Sequence, residues 1–125
     1  MENDTKSTYR QIIGAWGENE AVHFLENNGL IIIDRNYRTR EGEIDIVAED
    51  GSTLVFVEVK TRSNLSSGFP EEAVTPIKMT HLCIAAEKFI LEHEKFSDWR
   101  IDIIAITGKM GSKKIDIKWF KDVNG

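Results

Sequence analysis

Two strand-like runs, Glu43-Ile44-Asp45-Ile46-Val47-Ala48 and Thr53-Leu54-Val55-Phe56-Val57-Glu58-Val59-Lys60, are joined only by Glu49-Asp50-Gly51-Ser52. β-Branched and aromatic residues dominate both runs, and an Asp-Gly pair between such runs is a strong hairpin signal. Side chains alternate faces along a strand. Glu43, Asp45 and Val47 therefore share one face of the first run, and Leu54, Phe56, Glu58 and Lys60 share one face of the second. Ile44, Ile46, Val55, Val57 and Val59 make the other face wholly apolar, so that face is expected to be core. With Asp50-Gly51 as a two-residue turn, Asp45 pairs with Phe56, Glu43 pairs with Glu58, and Asp45 is diagonal to Glu58. Diagonal neighbours stand roughly 7–8 Å apart, within reach of one ion held between two carboxylates.

Carboxylates gathered on one face repel, and a divalent cation relieves the repulsion. Mg²⁺ is usually held by one or two carboxylates together with waters and phosphate oxygens, and Mn²⁺ suits the same donors. Asp45 and Glu58 are the candidate ligands. Lys60, two residues beyond Glu58 on the same face, is placed to lower the pKa of an attacking water or to stabilise charge developing on a phosphorane. Together they make a complete set for phosphodiester hydrolysis. The plain alternative is a solvated hairpin face on which Asp45, Glu58 and Lys60 form cross-strand salt bridges. Against it stands the place of Glu58 at the end of an intensely apolar strand, which is expected to be central, where a charge needs a purpose.

The rest of the chain supplies a frame for this hairpin. Tyr9, Ile12, Ile13, Trp16, Phe24 and Leu25 recur at helical spacing over 8–28, and Asn28-Gly29 is a natural stop. Leu30 to Ile33 reads as a short strand, and the basic stretch 34–40 as a loop or an irregular strand. Residues 63–70 form a polar loop. Thr75-Pro76 opens a second helix, threonine as N-cap and proline at the first helical position, running to about Lys95. Arg100–Thr107 and Lys114–Phe120 read as two more strands around a turn at 108–112. The expected fold class is α/β, a mixed β-sheet flanked by helices in the order α-β-β-β-α-β-β. One domain covers 1–125, with 1–7 and 122–125 expected as disordered tails.

Composition excludes several classes. Hydrophobic residues are 41% and charged residues 30%, the balance of a soluble globular chain. No apolar run approaches the roughly 20 residues that span a bilayer, and MENDTKSTYR lacks an apolar export signal. The single cysteine, Cys83, is expected as a small core hydrophobe, and the compartment as cytoplasm. His23, His81 and His93 form no ligand set with each other or with Cys83, which excludes zinc. Trp16, Trp99 and Trp119 read as core or sheet-edge packing, with base stacking the lesser option. A net charge of −5 argues mildly against nonspecific duplex binding. Basic residues nevertheless flank the acidic hairpin, and Arg38, Arg40, Arg62 and Lys78 are the candidates for phosphate contact, with solvated surface charge as their default role.

The stretches Gly42-Glu43-Ile44-Asp45-Ile46-Val47-Ala48 and Val55-Phe56-Val57-Glu58-Val59-Lys60-Thr61-Arg62 resemble the bacterial YraN family of endonuclease-like proteins. Gly14-Ala15-Trp16-Gly17-Glu18, Asn36-Tyr37-Arg38 and Arg100-Ile101-Asp102 extend the resemblance over nearly the whole chain. That family is similar to archaeal Holliday-junction resolvases and to the PD-(D/E)xK nucleases. The resemblance implies a restriction-endonuclease-like fold, Asp45 and Glu58 as Mg²⁺ ligands, Lys60 as the hydrolytic lysine, and Glu18 as the helix carboxylate. Ile44 stands where the motif has proline. Helical geometry by itself leaves Glu18 and Glu20 equivalent, since each lies beside apolar neighbours; the choice of Glu18 is the resemblance's. The implied activity is Mg²⁺-dependent cleavage of DNA, branched or damaged, by a protein that resolvase kinship allows to be a homodimer. A noncatalytic nucleic-acid-binding module on the same fold and a protein-interaction adaptor remain as alternatives.

Overall fold

A computed structural model describes residues 2–63, 74–93, 95–96 and 98–124, with side chains from Thr8 onward. The elements are α1 (Glu2–Asn27), β1 (Ile31–Arg38), β2 (Glu43–Asp50), β3 (Thr53–Arg62), α2 (Pro76–Glu92), β4 (Asp98–Thr107) and β5 (Asp116–Phe120). They form one five-stranded sheet in the order β1-β2-β3-β4-β5. Neighbouring strands are antiparallel except β3 and β4, which are parallel and joined through α2. This is the mixed α/β architecture expected from the sequence. Among the described residues no helix is long and apolar enough to cross a membrane.

The central strand shows why two helices are needed. Leu54, Val55, Phe56 and Val57 are all buried, so both faces of β3 must be covered. Val55 and Val57 pack with Ile46, Ile104, Ile106 and with Ala21 and Leu25 of α1. Leu54 and Phe56 pack with Val47, Ile101 and with Leu82, Ala85 and Phe89 of α2. The face that carries Asp45, Glu58 and Lys60 was expected to hold the chemistry and the other to be core; each face lies under a helix over most of its length, and only the far end of the hairpin is left for polar groups. Alternation supplies apolar residues to both sides, and two amphipathic helices are present to use them.

Several boundaries differ from the sequence reading, each for a local reason. Helix α1 starts at Glu2, so the polar residues 2–7 are helical rather than a tail. The basic stretch is strand, irregular at a bulge between Ile32 and Asp34 and at Asn36, whose φ is 55°. Residues 122–124 are bonded to β4. Asp122 N–H donates to Asp102 Oδ1 (2.9 Å), Val123 N–H to the Ile101 carbonyl (2.8 Å), and Ile101 N–H to Asn124 Oδ1 (3.0 Å). Asp102 is fully buried, and Arg100 and the Trp119 indole N–H also donate to it. A buried charge with that many donors is a fastener for the sheet edge. Thr75 caps α2 as expected, accepting from Lys78 N–H, but the helix ends at Glu92 rather than near Lys95. The loop read at 63–70 falls, beyond Ser63, outside the described residues.

Helix α1 meets β3 at a glycine. A Cβ on Gly17 would stand 2.0 Å from Thr61 Oγ1 and 3.1 Å from Thr61 Cβ, whereas a Cβ on Gly14 would meet nothing within 4 Å. Only a residue without a side chain allows that approach. Gly17→Ala is expected to cost about 1–3 kcal/mol in urea unfolding, because helix and strand must separate. Gly14→Ala, one turn away and open, is expected to be neutral or to gain up to about 1 kcal/mol of helix propensity. Equal responses at the two positions would show that the contact does not set the spacing.

Candidate functional site

The β2–β3 ladder runs from Asp50↔Thr53 to Ile46↔Val57 and stops there. The turn is thus Gly51-Ser52, not Asp50-Gly51, and the register moves by two residues: Val47, not Asp45, pairs with Phe56. The next pair in this register would be Asp45 with Glu58. Instead β2 leaves β3, although β1 and β2 stay paired to Glu43 and β3 and β4 to Arg62. Ile44 then packs with the core under α2 while Ile46 and Ala48 pack under α1, so the alternation breaks at Asp45. The Val59 N–H, left without a β2 carbonyl, donates to Asp45 Oδ2 at 2.8 Å.

That break opens a cleft of about 470 Å³ lined by Asp45, Glu58, Lys60, Glu18, Arg10 and Tyr9, among others. Glu58 is only 5% exposed. Two ammonium groups meet its Oε1, Lys78 Nζ at 2.6 Å and Lys60 Nζ at 3.5 Å. Burial, then the charge of Glu58, pushes the Asp45 carboxyl up to about 7, and its bond to Val59 N–H offsets this only in part. Burial likewise raises Glu18, against the pull of Arg35, whose guanidinium stands 3.8 Å away. Asn36, with its side-chain nitrogen turned to the carboxylates, donates to Glu43 Oε1 (2.9 Å) and Glu18 Oε1 (3.1 Å). Burial and the neighbouring Lys78 hold the Lys60 ammonium below its ordinary pKa. For Lys78 burial acts the same way, but its bond to Glu58 outweighs it and the net shift is upward.

The donor set suits a hard divalent cation. Asp45, Glu58 and Glu18 offer carboxylate oxygens from three elements, and one or two carboxylates are enough for Mg²⁺ when waters and phosphate complete its shell. As the side chains stand, and among the described residues, no three His, Cys, Asp or Glu groups are placed to hold a metal ion together, so an ion here would rest on one or two of these carboxylates.

The description "Uncharacterised protein family UPF0102" matches residues 17–106, which include Glu18, the whole hairpin and Lys78. A UPF0102 protein of Beutenbergia cavernae is 48% identical over 98 residues, covering 78% of this chain and 83% of its own. One from Herminiimonas arsenicoxydans is 41% identical over 115 residues (92% and 88%), and one from Geobacter sulfurreducens 47% over 102 (81% and 80%). The chain belongs to the UPF0102 family. The YraN resemblance carried by the hairpin motif is to this same family.

Within this UPF0102 chain the expected site residues fall into two groups. Asp45, Glu58, Lys60 and Glu18 line one cleft, and Glu20 is not among its walls. Of the four expected phosphate contacts, Arg38 is 78% exposed beside Glu43 at 3.5 Å, and Arg40 is exposed. Arg62 is half-buried and lines a second depression of about 600 Å³ that shares Tyr9, Ile13 and Thr61 with the first. Lys78 is the exception: its ammonium is engaged on Glu58. Sequence reasoning missed that pairing, and missed Arg35 and Asn36 beside Glu18. A signal for Lys78 did exist, since a helix that crosses between parallel strands starts near the end of the strand before it, which here carries Glu58 and Lys60.

Asp45 also fixes a pH dependence. Its pKa is about 7 in the fold against an ordinary 3.8, so folding takes up a proton between those limits. The stabilisation is complete below about pH 4 and lost as pH rises through about 7. Asp45→Asn cannot ionise and keeps an acceptor for Val59 N–H. Its stability advantage over the parent, from urea unfolding in EDTA, is expected to grow by about 1–3 kcal/mol between about pH 5 and about pH 7.5. A difference that stays flat across that range would place Asp45 in ordinary solvent.

Proposed function

We propose that this UPF0102 chain is a metal-dependent nuclease that hydrolyses phosphodiester bonds in DNA, branched or damaged sites being its targets. The observation that carries the reading is the upward shift of Asp45 in a cleft shared with Glu58 and Glu18. Burial makes the charge of Asp45 and of Glu18 costly there, and a divalent cation would offset that cost. Asp45 and Glu58 would hold Mg²⁺ or Mn²⁺. Such an ion supplies a Lewis acid for a phosphoryl oxygen and lowers the pKa of a bound water. Lys60, whose ammonium already stands 3.5 Å from Glu58, would stabilise charge developing on the phosphorane. Glu18, anchored by Arg35 and Asn36 and beside Asp45, would orient a water in the cleft. Arg38, Arg40 and Arg62 bind flanking phosphates as local charges on a chain whose net charge is −5.

A noncatalytic nucleic-acid-binding module on this fold draws support from one observation. Glu58 already carries the Lys78 ammonium, so the cleft is stable without a metal.

The two readings part on turnover. Asp45→Asn, Glu58→Gln and Lys60→Ala are each expected to lower Mg²⁺- or Mn²⁺-dependent cleavage by about 100-fold or more on four-way-junction, single-stranded or linear DNA, with circular dichroism unchanged. Mg²⁺ should raise the Tm of the parent and not of the two carboxylate variants. A binding module would turn over none of these substrates and keep its affinity in all three variants. Arg38→Ala combined with Arg40→Ala should flatten the slope of log K against log salt by roughly one to two. An unchanged slope would remove both arginines from the interface.

A further inference from the structure

Lys78 was read as a phosphate contact, yet its ammonium points inward onto a nearly buried carboxylate. Its Nζ stands 2.6 Å from Glu58 Oε1, nearer than Lys60, the lysine of the motif, at 3.5 Å from the same oxygen. One oxygen thus serves two cations from two elements, β3 and α2. The two pairings differ in kind. Lys60 lies on the strand that carries Glu58, stands farther from the shared oxygen and is the less exposed of the two, its side chain 24% exposed against 39% for Lys78. Lys78 lies in the first turn of α2, on a long stem that is half-exposed, and can swing outward. Glu58 is also a proposed metal ligand, and an ammonium 2.6 Å from one of its oxygens competes with a cation there by taking a lone pair and by placing a like charge beside it.

We propose that Lys78 is the resident counter-ion of Glu58, that it competes with a divalent cation for that oxygen, and that once displaced it carries its ammonium to a phosphate of the nucleic acid. This rests on the nuclease reading above and adds an order of events to it. Lys78 keeps the empty cleft paired, and it becomes a phosphate ligand only after the exchange. The sequence reading of Lys78 as a phosphate contact and the observed ion pair then describe two positions of one side chain. Metal and nucleic acid are expected to assist each other's binding, because each takes one end of the exchange.

The test needs no cleavage. Mn²⁺ binding to the full chain, followed by the EPR signal of the free ion, compares the parent with Lys78→Met and Lys60→Met. Each variant loses one positive charge beside Glu58, so Lys60→Met reports the ordinary Coulomb effect, and Lys78→Met adds the removal of the competitor. Lys78→Met is expected to bind Mn²⁺ about 10-fold or more tighter than the parent, and several-fold tighter than Lys60→Met. Lys78→Gln, which keeps a donor without the charge, takes the place of Lys78→Met if that variant does not fold. In a second measurement, Ca²⁺ in place of Mn²⁺ should tighten binding of a short oligonucleotide to the parent, and this assistance should vanish in the Lys78 variant. Mn²⁺ affinity in the Lys78 variant equal to or below that of Lys60→Met overturns the exchange while leaving the metal site standing. Assistance that survives without Lys78 also overturns it. Failure of the parent and both variants to bind Mn²⁺ overturns the nuclease reading together with the exchange.

Discussion

The hydrogen bond from Val59 N–H to Asp45 Oδ2 closes the break at which β2 leaves β3, and the cleft exists because of that break. A ladder continued by one more pair would have set Asp45 and Glu58 face to face in regular sheet, with their side chains under the α2 core. By parting there, β2 leaves a strand N–H unpaired, and in a half-buried position that group needs an acceptor. A carboxylate supplies it from the departing strand itself. The bond fixes one oxygen of Asp45, and the carboxyl also meets Glu18 across the cleft. The bond also explains why the residue is aspartate: the break needs a short side chain, and a glutamate would carry its oxygens farther from the strand.

Two packing contacts then bring the remaining groups to the same place. On one side of the sheet, the missing side chain of Gly17 lets α1 settle against Thr61, and Glu18, the next residue, reaches the cleft. On the other side, Leu82, Ala85, Ala86 and Phe89 seat α2 on Phe56, which aims its first turn at Glu58. Each helix is held by an apolar contact and delivers one charged group at its edge. Burial energy along both faces of β3 therefore supports polar groups that would not gather unaided.

The fold was readable because its signals are periodic. Alternation in 43–60 gave the hairpin, helical spacing gave α1 and α2, and Thr75-Pro76 gave a cap that the structure reproduces. The four carboxylate and lysine positions on the hairpin and helix could be nominated, with the resemblance selecting Glu18 over Glu20. The register was misread because two turns, Asp50-Gly51 and Gly51-Ser52, share the glycine, and its φ of 62° serves either. The break at Asp45 left no local mark, since Glu43-Ile44-Asp45-Ile46 alternates perfectly on paper; it arises from how β2 is pulled between β1 and β3. Arg35 and Asn36 beside Glu18, and the pairing of Lys78 with Glu58, were missed for a related reason. Each acts across elements, and a single sequence shows residues in order along one element only.

Charge balance in the cleft bears on how an acidic chain would take the anionic partner proposed for it. Glu58 is matched by Lys78 and Lys60, and Glu18 by Arg35. Asp45, with its carboxyl pushed up to about 7, is partly neutral near neutral pH. The carboxylates of the cleft are therefore met by ammonium and guanidinium groups close at hand, although the chain as a whole carries −5. Distant surface carboxylates act through water and salt, which screen them beyond about 10 Å, so a phosphate at the cleft responds mainly to the near groups. For the proposed nuclease, a bound cation would add to these near charges, and the exposed Arg38 and Arg40 would act on the flanking phosphates.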